Sequence, residues 1–119
     1  MELFDIRIIN SPIDKYMFNE LLDFELKFGG FIKIAIDIKK ERIALNCELH
    51  CDCGDVLADS GSDFANIWGA NIIPSSRSIE YTSLMNIRPG YSNLTQEITR
   101  QDIREKIEKI IKKLIFQNY

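Results

Sequence analysis

The sequence predicts a single α+β domain with the element order βαββαββα and a five-stranded, mostly antiparallel sheet. Three observations lead to this prediction. The chain has 119 residues, a length that suits one domain, and we take residues 1–119 as that domain. Four segments have apolar and polar residues in alternation. They form two pairs, and each pair is joined by a short polar turn, as in a β-hairpin. Apolar residues recur at helical spacing near both ends of the chain. We expect the helices to gather on one face of the sheet.

The N-terminal part predicts a strand followed by a helix. Leu3 to Ile9 alternates apolar and polar residues, and Ser11 followed by Pro12 is typical of a helix start. The helix carries two neighbouring apolar stripes, where one is usual for a surface helix. The second stripe consists of Phe18, Leu22 and Leu26. Such a wide arc indicates deep burial or a partner surface, and we expect a homodimer.

The middle of the chain predicts two hairpins with a short helix between them. Phe31 to Ile38 and Arg42 to Leu49 alternate with β-branched residues and form the first hairpin. Asp52 to Ala58 is expected to be helical, with Asp52 as the N-cap. Trp68 to Ile73 and Ile79 to Ile87 then form the second hairpin.

The last helix begins at a capping-box-like Thr99 to Asp102 and carries one apolar stripe from Ile103 to Leu114. Its lysines are interleaved with Glu105 and Glu108, which is typical of a solvated helix face. The formal net charge of the chain is -3. Because nucleic-acid binding requires clustered cations, we expect no nucleic-acid partner.

Location and redox state follow from what the sequence lacks. No apolar run approaches the about 20 residues that span a bilayer, and the first residues are acidic where a signal peptide would be basic. We therefore expect a cytoplasmic protein with no membrane contact. The three cysteines, Cys47, Cys51 and Cys53, lie within seven positions of one another. An odd number so close together is a poor disulfide framework, so we expect reduced thiols.

The segment from Cys47 to Cys53 also holds His50, the sole histidine. Thiolate and imidazole are zinc ligands, but structural zinc sites usually add a second, distant pair, so we predict no metal and no cofactor. A Cys51 nucleophile activated by His50 is the second interpretation. Adjacent side chains on an extended backbone point apart, which disfavours it.

A third interpretation uses strand alternation. If Ile43, Leu45 and Ile87 face the core, the polar residues that alternate with them along the strands point to the opposite face of the sheet. An antiparallel sheet commonly leaves one face in water, so a solvated surface is the alternative. The predicted face combines the only histidine with amide and guanidinium groups, which are suited to fixing a ligand. The predicted ligand-binding residues are Glu48, His50, Asn71, Glu80, Asn86 and Arg88.

Several motifs resemble those of a family of small prokaryotic proteins catalogued only as a domain of unknown function. The motifs are Glu48-Leu49-His50, Trp68-Gly69-Ala70-Asn71 and Asn86-Ile87-Arg88-Pro89 followed by Asn93. The resemblance runs from about Ile36 to Leu114, and it contains all six predicted site residues. The chain departs from the pattern at Cys51 and Cys53, where similar proteins have small residues. The resemblance implies a site and brings no activity, cofactor or partner.

Three functions fit these observations. The first is a binding module that holds a small polar or anionic ligand, or a partner's charged segment, on the polar face, with Arg88 contacting the anion. The second is an enzyme of hydrolase or lyase type with His50 and Glu48 as the acid–base pair and Arg88 as the anion stabiliser. The third is an interaction subunit that uses the apolar arc of the first helix.

Overall fold

Five strands and three helices follow one another in the predicted order in the computed structural model, which describes residues 4–116. Every pair of neighbouring strands is antiparallel, and the strand order across the sheet is β1-β3-β2-β4-β5. The α+β class and the five-stranded antiparallel sheet are therefore confirmed. The elements are β1 (Arg7–Ile9), α1 (Lys15–Lys27), β2 (Ile32–Asp37), β3 (Arg42–Leu45), α2 (His50–Asp59), β4 (Ile67–Ile73), β5 (Ser78–Glu80) and α3 (Gln101–Leu114).

One face of the sheet carries the larger core. Ile32, Ile34 and Ile36 alternate along β2, so all three side chains leave the same face, and they are at most 1% exposed. They pack with buried residues of α1 and α3, among them Leu21 and Ile107. The predicted placement of the first and last helices on one face is therefore correct.

The second helix lies on the opposite face, and here the sequence prediction was wrong. Ala35 and Ala44 point away from the isoleucines and pack with Cys53, Leu57 and Ile67 in a separate core cluster. The physical reason is side-chain size, because the two alanines leave room for α2 to lie close against β2 and β3. The polar face predicted to be open is thus partly covered by a helix.

Helix α1 begins three residues later than predicted, because Asp14 caps it and not Ser11: the Asp14 carboxylate accepts a hydrogen bond from Met17 N at 2.8 Å. Phe18 is buried in the main core and Leu22 packs partly against it, so the fold itself covers most of the second stripe. Only Leu26, 79% exposed, remains open. The apolar arc therefore gives little reason to expect a second copy, and the homodimer stays a prediction.

Two strands end earlier than the alternation predicts. β3 stops at Leu45, because Asn46 adopts a left-handed conformation with φ 72° that breaks the extended chain. β5 stops at Glu80 and is followed by two 3-10 turns at Leu84–Asn86 and Pro89–Tyr91. Residues 46–49 and 81–88 therefore do not alternate between two faces of the sheet. Within residues 4–116, no helix has the length and apolar character that crossing a membrane requires.

Candidate functional site

A row of three polar residues crosses the sheet next to the start of α2. Lys33 on β2 is the cross-strand partner of Asn71 on β4, and Asn71 is the partner of Glu80 on β5. Partners in register lie on the same face, so all three side chains leave the sheet on the α2 side. The row follows directly from alternation, since each member lies between residues that enter the main core.

His50 is the first residue of α2, and its ring lies against this row. Its Nε2 atom is 2.9 Å from the carbonyl oxygen of Ala70 and 2.8 Å from Oδ1 of Asn71. The Asn71 Nδ2 group donates to a carboxylate oxygen of Glu80 at 3.3 Å, which assigns Oδ1 to the histidine side. Both neighbours of Nε2 are acceptors, so Nε2 carries the proton and Nδ1 keeps a lone pair.

The environment favours the neutral form of this imidazole. Burial lowers the pKa of His50 below its ordinary value of 6.5, and the nearby positive charge of Lys33 lowers the pKa further. The hydrogen bonds to Ala70 and Asn71 act in the opposite direction and are outweighed. At neutral pH, His50 is therefore an uncharged ring with a fixed donor at Nε2, and its Nδ1 acceptor makes no hydrogen bond within residues 4–116.

His50 and Asn71 line an open cleft of about 580 Å³, which we call the His50 cleft. It lies between the N-terminus of α2, the polar row and the segment that follows β5. Its volume is within the range of small-molecule sites. The lining residues are Phe31, Lys33, Leu49, His50, Cys51, Asn71, Thr82, Ser83, Leu84, Met85 and Gln96.

The cysteines are arranged differently from the prediction of three reduced thiols. Cys47 and Cys53 form a disulfide, with their Cα atoms 5.7 Å apart, and only Cys51 is a free, exposed thiol. That Cα separation is normal for a disulfide. The prediction was wrong because α2 begins at His50, and its first turn brings Cys53 back over Cys47. Two of the three sulfurs are thus unable to act as thiolate ligands for zinc.

Glu48 is a predicted site residue that does not line the His50 cleft. It is exposed, in the irregular segment after β3, and within residues 4–116 its carboxylate makes no hydrogen bond or ion pair. Only its backbone oxygen takes part in the site, because it accepts a hydrogen bond from Lys33 Nζ at 2.8 Å. The side chain that hydrogen-bonds to His50 is that of Asn71 and not that of Glu48, the predicted acid–base partner.

Asn86 is fully buried, and its side chain stabilises the fold through hydrogen bonds to the backbone. Its side chain accepts from Gly69 N at 2.8 Å and donates to Gly69 O at 2.9 Å and to Gln96 O at 3.1 Å. It thus extends the pairing of β4 past the end of β5. A Cβ atom on Gly69 would lie 2.6 Å from the Cβ of Ser83, so this close packing requires glycine. All three hydrogen-bonding groups of the Asn86 amide are occupied by backbone.

Arg88 likewise holds local structure. Its Nε donates to Met85 O at 3.1 Å and one terminal nitrogen donates to Phe64 O at 2.6 Å, while the guanidinium lies 5.4 Å from the Trp68 ring centroid. Burial lowers the pKa of Arg88, but arginine stays cationic at neutral pH. Arg88 does not line the His50 cleft. The structure thus brings together His50, Asn71 and Glu80 and directs Asn86 and Arg88 to other contacts.

The sequence prediction missed most of the cleft lining. Lys33 had a signal, since it lies between two inward isoleucines and must share the face of Asn71. Leu84 and Gln96 lie outside the strands, and no periodic pattern places them near α2. Among the residues that the structure describes, no three histidine, cysteine or acidic side chains are grouped to hold a metal ion.

Comparison with known families gives one result. The family model described as "Protein of unknown function (DUF5674)" matches residues 7–114, which agrees with the resemblance found in the sequence. No curated protein and no solved structure gives a significant match.

Proposed function

The chain belongs to the DUF5674 family, which has no assigned function, and we propose that it is a binding module for a small organic anion with an apolar body. The observation that carries this proposal is the composition of the His50 cleft: one ammonium group, one neutral imidazole and exposed leucines at its edge. Concave sites with mostly apolar walls and a few convergent polar groups are typical of small-ligand binding. The cytoplasm is the proposed location.

Lys33 supports the anionic part of the ligand. Its ammonium has three donors, and the hydrogen bond to Glu48 O occupies one of them. Within residues 4–116, no carboxylate lies within 4.0 Å of this ammonium. Two donors are therefore available to a ligand carboxylate or phosphate at the edge of the cleft.

His50 supports a second polar contact. Because Nε2 is held by Ala70 and Asn71, the ring orientation is fixed before a ligand arrives, which reduces the entropy lost on binding. The free Nδ1 lone pair accepts a hydrogen bond, so a ligand hydroxyl or N–H group is the matching partner. A neutral ring also avoids the cost of a buried charge when the ligand excludes water.

The apolar body of the ligand is matched by Leu49 and Leu84, which are 53% and 71% exposed. A single exposed leucine is ordinary, but these two line the same cleft together with Phe31 and Met85. Covering each with a ligand removes apolar surface from water and stabilises the complex, at roughly 25 cal/mol for each Å² buried.

A paired fragment screen tests the proposal. Small aryl and alkyl carboxylates and their uncharged amides are added to ¹⁵N-labelled protein at millimolar concentration, and amide shifts are recorded. We expect carboxylates to shift the amides of the cleft residues and to bind more tightly than their amides. In Lys33→Gln that preference should disappear, while the apolar contribution persists. If neither set shifts cleft amides, or if Lys33→Gln leaves the preference unchanged, the proposal fails.

An enzyme is the second candidate, and the His50–Asn71 contact is what favours it. A neutral imidazole whose second nitrogen is held by an amide oxygen is equipped to accept a proton, and Cys51 lines the same cleft. Glu48 and Arg88 have no part in this version, because within residues 4–116 His50 hydrogen-bonds to Ala70 and Asn71 and to neither of them. Hydrolysis of activated esters tests this candidate. If the wild type hydrolyses an ester and His50→Gln still binds it but no longer hydrolyses it, the enzyme is favoured.

A further inference from the structure

The disulfide between Cys47 and Cys53 encloses the residues that α2 contributes to the cleft. The two cysteines are six positions apart, and Leu49, His50 and Cys51 all lie between them. Both bonded cysteines are buried, at 3% and 0% exposure, whereas Cys51 is exposed. The covalent bond therefore links the irregular segment after β3 to the first turn of α2.

Within residues 4–116, this segment belongs to no regular secondary structure. β3 ends at Leu45, so Cys47, Glu48 and Leu49 belong to no strand. Leu49 is the N-cap of α2 but makes no side-chain capping bond. The segment's non-covalent anchors are the hydrogen bond from Lys33 Nζ to Glu48 O and the packing of the buried Cys47 in the cluster with Ala35 and Ala44. The hydrogen bonds to Ala70 O and Asn71 hold the ring of His50, and the disulfide holds the backbone segment immediately before it.

We propose that Cys47 and Cys53 form a reversible redox couple that sets the position of His50 and thereby opens or closes the His50 cleft to its ligand. The co-reactant is a low-molecular-weight thiol and its disulfide, of the glutathione type. In a reducing compartment, such as the cytoplasm proposed above, protein disulfides are usually transient, catalytic or redox-sensing, which fits a couple of this kind. The consequence for ligand binding rests on the proposed function, whereas the redox exchange itself is tested without a ligand.

The reaction is thiol–disulfide exchange. A thiolate of the pair attacks the disulfide of the oxidant, forming a mixed disulfide and releasing one small thiol. The second cysteine, as thiolate, then attacks the protein sulfur of the mixed disulfide, forming the Cys47–Cys53 bond and releasing the second small thiol. The protein loses two electrons and two protons, and one small disulfide becomes two thiols. Reduction is the reverse.

The structural change is expected on one side of the bond. Cys53 lies inside α2 and packs with Leu57 and Ile67, so the helix keeps it in place after reduction. Cys47 is also buried in this cluster, but it lies on the irregular segment, where no strand or helix holds its backbone. Reduction should therefore release residues 47–49 and alter the first turn of α2 while leaving the sheet unchanged.

The experiment compares one chain in two redox states, so that the main comparison needs no variant of a buried residue. Cys51→Ser removes the exposed thiol, and the protein is equilibrated with glutathione disulfide or with reduced glutathione. Alkylation after unfolding and mass spectrometry count the free thiols, and the imidazole signals of His50 report its position.

We expect the oxidised protein to lack the mass of two hydrogens and to resist alkylation. Reduction should shift the His50 signals and leave the Trp68 indole signal unchanged. Cys47→Ala in the same background should show the reduced-state His50 signals in both buffers. The inference is overturned if glutathione disulfide leaves both cysteines open to alkylation, or if the His50 signals are identical in the two states.

No ligand enters this measurement, so its failure is distinct from failure of the proposed function. If the His50 imidazole signals shift with redox state but no fragment binds, the proposed binding function is contradicted and the redox couple is supported. If fragments bind but both cysteines stay reduced in glutathione disulfide, the redox couple is contradicted and the binding function is supported.

Discussion

The imidazole Nε2 of His50 lies 2.8 Å from the side-chain oxygen of Asn71, and this contact fixes a ring at the start of α2 to the second strand from the sheet edge. Asn71 in turn donates to Glu80, its cross-strand neighbour on β5. The chain of contacts determines which nitrogen of His50 carries the proton. The proposed chemistry of the cleft depends on that assignment.

Titration of His50 is the first prediction. Burial should hold its pKa below the ordinary 6.5, and the neutral ring should carry its proton on Nε2. Because His50 is the only histidine, its imidazole signals need no assignment by mutation. Long-range ¹H–¹⁵N spectra recorded from pH 5 to 8 measure both quantities. A pKa at or above 6.5, or the Nδ1–H tautomer, would contradict the structure of the site.

The same shift makes stability depend on pH. Because the folded-state pKa of His50 lies below the unfolded value of 6.5, the unfolded chain binds a proton first as the pH falls. The stability contribution is therefore complete above about pH 6.5 and is lost as the pH falls through the folded-state pKa.

Urea unfolding of the wild type and of His50→Gln at pH 7.5 and pH 5 measures this effect. The wild type should lose more stability than the variant over that range. Burial raises the pKa of Asp37, but hydrogen bonds from Lys40, Ser62 and Lys39 and the charge of Arg42 together lower it below its ordinary value, and Asp37 is common to both proteins. Equal losses in the two proteins would show that His50 does not titrate differently on folding.

Asn86 should be important for stability rather than for binding. Asn86→Ala removes two buried hydrogen bonds to the backbone of Gly69 and one partly buried hydrogen bond to Gln96 O, and we expect a loss of about 3 kcal/mol in the free energy of unfolding. Asn10, which is exposed, provides the matched control, and Asn10→Ala should change stability by less than about 0.5 kcal/mol. Chemical denaturation measures both. Similar values for the two variants would show that the Asn86 contacts contribute little.

A second prediction about stability concerns Arg88 and compares its replacement by alanine and by lysine. Arg88→Ala loses hydrogen bonds to Met85 O and Phe64 O and the stacking on Trp68, so we expect about 2 kcal/mol of destabilisation. Arg88→Lys should recover only part of this, because one ammonium cannot replace a planar fork of donors. Full stability of Arg88→Ala, measured by chemical denaturation, would return Arg88 to the list of candidate ligand contacts.

Local periodicity predicted the fold, and long-range packing decided the site. The isoleucines of β2 and the stripe of α3 are repeated patterns, so their elements were predictable from the sequence. The alternation from Thr82 to Arg88 looks equally regular, but the chain turns there. The cause is the pairing of Asn86 with Gly69, seventeen residues away, which no local pattern encodes. His50 does contact Asn71, but it does so as the first residue of a helix that follows the end of β3 at Asn46, and not through the strand alternation from which a shared face was predicted.

Two matched leucines test most directly whether the His50 cleft is the binding site. Leu84 and Leu94 are both 71% exposed, but only Leu84 lines the cleft. Affinity for the best carboxylate fragment is measured by NMR titration in Leu84→Gln and Leu94→Gln, each with its unfolding free energy as a check on folding. Leu84→Gln should weaken binding roughly tenfold, since burying a leucine side chain is worth about 1.5 kcal/mol or more, and Leu94→Gln should bind like the wild type. Equal affinities in the two variants would contradict the account.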